Sequence, residues 1–256
     1  MKTKLTILGC GSSEGVPRID GFWGNCKKNN KKNHRSRCSA IINKGENSVL
    51  IDTSADLKQQ LLSNKIKNIS SVILTHDHAD QTNGLFELRP FFWKYKKKIN
   101  IYGNLKTINS VKKRHNYLFK KIGIYNPIVQ SKIIGSKFSL GKSREKIFFK
   151  AINVKHGNIK STAYIFEKTA YLSDTNDLSI IKMKQFKNLK YLIIDCLQFK
   201  KHRSHLCLDE SLLIHRYLKP KKTILTNLKH ELDYHYLLKI LPKDVIPAYD
   251  GLKISL

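Results

Sequence analysis

The stretch VILTHDHADQTNG, residues 72–84, decides the fold. A short β-branched run ends in two histidines two apart, His76 and His78, with Asp80 two residues further on. Imidazole nitrogens and a carboxylate oxygen released at a strand end, where backbone groups are free and water can enter, suit a borderline ion such as zinc. One aspartate in such a place is most simply a turn former. The motif therefore has to be weighed with the other strand ends of the chain.

Short apolar runs predict strands over 5–8, 39–43, 48–51, 72–75, 99–102, 146–154, 162–166, 170–172, 191–194 and 223–226. Helical spacing predicts helices over 55–63, 85–93, 105–111, 178–185, 208–218 and 234–240. The ends of the strands deliver Asp52, the His76 cluster, His156 in KHGN, Asp174 in LSDTND, Asp195 in IIDC and Asn227 in LTNLKH. Chemistry in α/β folds gathers at such junctions, and as a set these residues exceed what turn formation needs. The course of strands followed by strand and helix alternation occurs twice. It predicts an α/β four-layer αβ/βα sandwich of two mixed sheets flanked by helices, as one domain over residues 1–256. No internal repeat or low-complexity linker divides the chain.

Composition narrows the functional classes. At 41% hydrophobic residues and a mean hydropathy of -0.39 the chain has no apolar run near the roughly 18 residues of a membrane span. The start MKTKLTILGC offers only Leu5 to Leu8 as an apolar segment where a secretory signal has about 7 to 15 residues, so it reads as a first strand and the expected location is cytoplasmic. Five cysteines without a CxxC pair fit reduced thiols. The net charge of +29 would attract polyanions. Only eight of the 48 basic residues are arginine, and lysine accompanies abundant Ile and Asn, so compositional drift plus an anionic substrate explains most of it. Nucleic acid as a partner stays open.

THDHAD, followed in order by KHGN, LSDT, SHLCLDE and LTNLKHELDY and preceded by LGCGSSEGVPR, resembles the metallo-β-lactamase-fold hydrolases, in particular the phosphoribosyl 1,2-cyclic phosphate phosphodiesterase branch. The resemblance covers essentially the whole chain. It implies a first metal on His76, His78 and His156, with Asp174 bridging to a second ion held also by Asp80, by the residue after it and by a late histidine. Here the residue after Asp80 is Gln81, and the late histidine falls on Lys229 or on Asn227.

The expectation is one ion, zinc or manganese, on His76, His78, His156 and Asp174. Asp80 then orients the water, Lys229 stands in part for the second ion, and His205 binds phosphate or protonates the leaving group. Two other accounts stay open: His230 shifts by one residue to become the missing ligand, or catalysis has decayed and a phosphate or nucleic-acid binding protein remains. The opening loop offers Ser12, Ser13 and Arg18 as a phosphate cradle. Related phosphodiesterases sometimes carry a structural zinc on clustered cysteines, but Cys26 and Cys38 have no close third and none is expected. The implied reaction is hydrolysis of a phosphodiester, such as a small cyclic phosphate or nucleotide-like molecule, by a metal-bound hydroxide. The alternative enzyme is a tRNA-processing-type nuclease, for which the basic and aromatic stretch from FFWKYKKK to FKKIGIYN would stack bases. Oligomeric state stays open.

Overall fold

The computed structural model describes residues 2–256. Its strands are β1 (Lys4–Gly9), β2 (Ser39–Lys44), β3 (Asn47–Ile51), β4 (Ser71–Ile73), β5 (Ile99–Gly103), β6 (Val129–Ile133), β7 (Lys137–Leu140), β8 (Ile147–His156), β9 (Ile159–Phe166), β10 (Thr169–Leu172), β11 (Tyr191–Asp195), β12 (Lys222–Thr226), β13 (Val245–Pro247) and β14 (Lys253–Ser255). The helices are α1 (Leu57–Ser63), α2 (Ala79–Thr82), α3 (Arg89–Tyr95), α4 (Leu105–Arg114), α5 (Asn116–Phe119), α6 (Leu208–Leu218) and α7 (Tyr234–Ile240).

Two seven-stranded mixed sheets result, ordered β14-β1-β2-β3-β4-β5-β6 and β13-β12-β11-β10-β9-β8-β7. Strand residues alternate between two destinations, as the pleat requires. Val49 and Ile51 of β3 face the layer between the sheets, with Leu5, Ile73, Tyr164, Tyr171 and Ile193. Leu50 between them faces outward, among Leu57, Leu61, Ile108 and Val111 of α1 and α4. On the second sheet Leu192 and Ile194 pack outward under Ile214, Leu218 and Leu237 of α6 and α7. This is the αβ/βα sandwich that the order of elements predicts.

The departures from the predicted elements have a common cause. β6, β7, β13 and β14 were not expected, and they are the outermost strands of the two sheets. Their sequences, VQSKI, KFSL, VIP and KIS, carry the lysines and proline that edge strands use against further pairing, so they lack an apolar run. The helix expected over 178–185 is instead a pair of 3-10 turns, Leu178–Lys182 and Lys184–Phe186. The one expected over 85–93 begins as a 3-10 turn and becomes α3 with Pro90 in its first turn, where the missing amide hydrogen costs nothing.

Three cross-links fix the edge where the strands end. The Thr162 amide of β9 donates to the Thr75 carbonyl at 2.9 Å, and the Tyr164 hydroxyl donates to the Leu74 carbonyl at 2.7 Å, joining one sheet to the other. Arg35, 2% exposed, donates to the carbonyls of Leu232 at 2.7 Å and Lys229 at 3.3 Å. It thereby pins the loop after β12 to the N-terminal segment. Beside it Asn33 donates to Asp233 at 2.7 Å. A buried guanidinium braced on neutral oxygens leaves those carbonyls orphaned when removed. Arg35→Ala is expected to lower stability by about 3 kcal/mol in equilibrium urea denaturation, and Arg35→Lys to recover only part of it, because one ammonium cannot span both carbonyls.

Candidate metal centre

β3, β4 and β5 run parallel, as do β10, β11 and β12, so their carboxyl ends open at a common edge. His76 lies just beyond β4, His78 caps α2, and His156 is the last residue of β8. One nitrogen from each ring lies within 4.8 Å of the others, and the ring centroids are 4.5 to 5.1 Å apart.

Hydrogen bonds on the far side of the His156 and His76 rings set their tautomers. His156 Nδ1 is 2.8 Å from the Ser204 carbonyl, which can only accept, so Nδ1 carries the hydrogen and Nε2 offers its lone pair. His76 Nδ1 lies 2.9 Å from the Thr75 hydroxyl, itself 2.8 Å from the buried Asp52 carboxyl. The Thr75 hydroxyl donates to Asp52 Oδ2, so its oxygen accepts from His76 Nδ1 and Nε2 is left free. That Nε2 is buried without a hydrogen-bond partner. An orphaned buried imidazole nitrogen facing two further imidazoles is the donor set that a divalent ion fits.

Asp174, 3% exposed, stands beside this cluster, and its carboxylate groups with His156 and His205. Burial opposes its charge, but the His76, His205 and His156 rings outweigh burial and hold it below the usual carboxylate range. Gln81 Nε2 donates to Asp174 Oδ2 at 3.4 Å and to Asp80 Oδ2 at 3.2 Å. Asn227 Nδ2 donates to Asp174 Oδ1 at 3.4 Å and to Asp195 Oδ1 at 3.3 Å. Burial and the Asp174 charge push the Asp80 carboxyl up. His205 Nδ1 donates to Asp195 Oδ2 at 2.7 Å. Burial disfavours the imidazolium of His205, yet the carboxylates of Asp195, Asp174 and Asp80 more than reverse that and raise it to about 9.

His78, Asp80, His156, Asp174, His205 and Asn227 line a cavity of about 310 Å³, with Ser12, Ser13, Glu14, Lys229, His202 and Ser204 also on its walls. The structure thus gathers His76, His78, Asp80, His156, Asp174, His205, Lys229, Ser12 and Ser13 in one place. Arg18 is not among the lining residues; its guanidinium is engaged by Asp20 at 2.7 Å and lies over the Phe22 ring. Of the two positions for the late histidine, Asn227 is the one against Asp174. His230 faces elsewhere: its ring packs on Phe22 at 4.9 Å, and its carbonyl accepts from the Asn25 and Cys26 amides. The shift that would make it a ligand breaks these bonds. His202 and Ser204 were not singled out in the sequence. The repeat of histidine in HRSH, 202–205, after β11 was the available signal for His202; the carbonyl role of Ser204 leaves none.

Residues 47–227 match the beta-lactamase superfamily domain. The chain belongs to this superfamily. A diphosphatase of the PhnP family superposes with a TM-score of 0.89 at 30% identity, covering 99% of this chain and 98% of that one. Human tRNase Z, short form, has the same fold, with a TM-score of 0.68, 17% identity and 98% of each chain covered. An octanoyltransferase of Porphyromonas gingivalis (strain ATCC BAA-308 / W83) is 28% identical over 253 residues, 98% of this chain and 51% of that protein. The chain therefore spans about half the length of that curated relative.

Burial lowers the His76 pKa to about 4, beyond what the Asp174 charge restores. Since the ordinary imidazole value is about 6.5, protonation favours the unfolded chain. Stability of the metal-free protein is therefore complete above about pH 6.5 and falls as the pH drops toward 4. Through this residue the chelated protein is expected to lose about 2 kcal/mol between pH 7.5 and pH 5 in urea titrations, and His76→Asn to lose correspondingly less.

Proposed function

We propose that this chain is a metal-dependent hydrolase of phosphodiesters, acting on a small cyclic phosphate or nucleotide-like substrate. The observation that carries the reading is the convergence of the His76, His78 and His156 imidazoles beside Asp174, at a cavity that His205 and Lys229 also line. His76, His78 and His156 would hold one zinc or manganese ion, with Asp174 beside them. Such an ion, when bound, supplies a water of lowered pKa and a Lewis acid for a phosphoryl oxygen.

The remaining roles fall to the chain's own residues. Asp80, on the first turn of α2, orients the attacking water as a hydrogen-bond acceptor. Lys229 presents an ammonium to a non-bridging phosphate oxygen. Ser12 offers a buried hydroxyl without a protein partner, and Ser13 stands next to it on the cavity wall. His205, kept protonated by Asp195, gives its proton to the leaving oxygen. At about 310 Å³ the cavity suits a ligand at the small end of the usual range of about 300 to 1,000 Å³. The 30% identity to a PhnP-family diphosphatase supports phosphate chemistry in this chain.

A nuclease reading draws on one specific feature. Trp93, Tyr95, Tyr117 and Tyr125 are exposed in a lysine-rich region, and the Arg89 guanidinium lies 4.8 Å over Phe86 and 5.9 Å from Trp93. Exposed rings among cations can stack bases. Turnover of a bis-aryl phosphodiester with added manganese or zinc, and its loss in His76→Ala, tests the hydrolase. Salt-dependent RNA binding without turnover of either substrate would instead indicate a binding protein. His205→Ala is expected to lower kcat by about 100-fold or more for an alkyl leaving group. An aryl leaving group, which departs without a proton, is expected to be much less affected.

A further inference from the structure

Four buried or half-buried polar side chains meet where Asp80 and Asp174 approach each other. Gln81 is 0% exposed and Asn227 2% exposed. The Gln81 amide nitrogen reaches one oxygen of each carboxylate, and the Asn227 amide nitrogen reaches the second oxygen of Asp174. An amide nitrogen has no lone pair to give a cation, and its hydrogens carry positive partial charge into the gap. Turning the Gln81 amide over would set its oxygen against two carboxyl groups, a repulsion that a cation or a proton between them would have to relieve. Among the described residues, two triads of possible ligands form, and Asp80 belongs to neither. Neither Gln81 nor Asn227 adds an imidazole to the two carboxylates; the nearby His205 ring has its Nδ1 against the Asn227 amide at 3.0 Å and Asp195 at 2.7 Å, and the gap between Asp80 and Asp174 is spanned by N–H donors.

We propose that the side-chain amides of Gln81 and Asn227 form a neutral clamp on Asp80 and Asp174 that takes the place of a second ion, so that the chain works with a single metal. The clamp supplies the hydrogen bonds that a buried carboxylate requires without adding charge. Asn227 extends it to Asp195, the partner of His205, so the groups that hold the single ion and the group that holds the proton share one network. Positive charge toward the phosphate then comes from Lys229 and His205. The inference rests on the functional reading above, in that the three-imidazole site binds an ion.

Metal content separates the two. The purified protein, saturated with zinc or manganese and passed through gel filtration, is expected to retain about one equivalent by plasma mass spectrometry. The double variant Gln81→His with Asn227→His is expected to retain about two. Gln81→Glu, which sets a third carboxylate in the gap, is expected to take up a second equivalent and to gain thermal stability as it does so. That second variant decides the matter if the double variant does not fold. Two equivalents held by the unaltered protein would overturn the clamp alone. A folded double variant, or Gln81→Glu if that is the one that folds, still limited to one equivalent would also overturn it. No metal retained by the unaltered protein would overturn the functional reading and the clamp together.

Discussion

Asp174 is a carboxylate buried at the strand ends on the wall of the cavity, and the groups around it keep it charged. A buried charge without partners costs several kcal/mol, and the partners here come from five separate segments. His76 arrives beyond β4, Gln81 from α2, His156 from the end of β8, His205 from the loop after β11 and Asn227 from the end of β12. Each segment is brought to this edge by strands whose other residues fill apolar layers. The polar centre therefore has the position that packing of the sheets allows, and its charge is stabilised by residues distant in sequence.

The backbone absorbs part of the cost. Asp52 and Asn227 stand at the ends of β3 and β12 with φ of 58° and 62°. These are left-handed conformations that Asp and Asn tolerate better than most residues. The turns they make send Asp52 back to Thr75 and aim Asn227 at Asp174. Main-chain groups do comparable work elsewhere. The Ser204 carbonyl selects the tautomer of His156, and the Lys229 and Leu232 carbonyls are held by Arg35. Geometry at the cavity is thus set partly by main-chain groups and by side chains outside its lining.

The excess of lysine acts at longer range. With +29 over 256 residues, anions are drawn to the whole surface. Selection among them falls to the cavity, where Lys229 and His205 are opposed by the carboxylates of Glu14, Asp80 and Asp174. A substrate has to match that alternation of charge at close range, whatever steers it there.

The sequence by itself determined the architecture and the histidines that the structure clusters, because both are written locally. Alternation within β3 and β11 specifies which residues face each layer, and His76 and His78 sit two apart at the end of one strand. His156 was legible for the same reason, as the polar end of an apolar run. The four edge strands were not, since half of their hydrogen bonds and one flank meet water and their composition is that of loops. Tertiary structure alone decided between Asn227 and Lys229, because the chain's left-handed turn after β12 sets which of the two reaches Asp174. It also separated Arg18 from the cavity by pairing it with Asp20, and brought in His202 and the Ser204 carbonyl. The clamp on Asp174 belongs to the same class: Gln81 and Asn227 are 146 residues apart in sequence, from the subtraction 227 less 81. Only the stacking of one sheet on the other places their amides on one carboxylate.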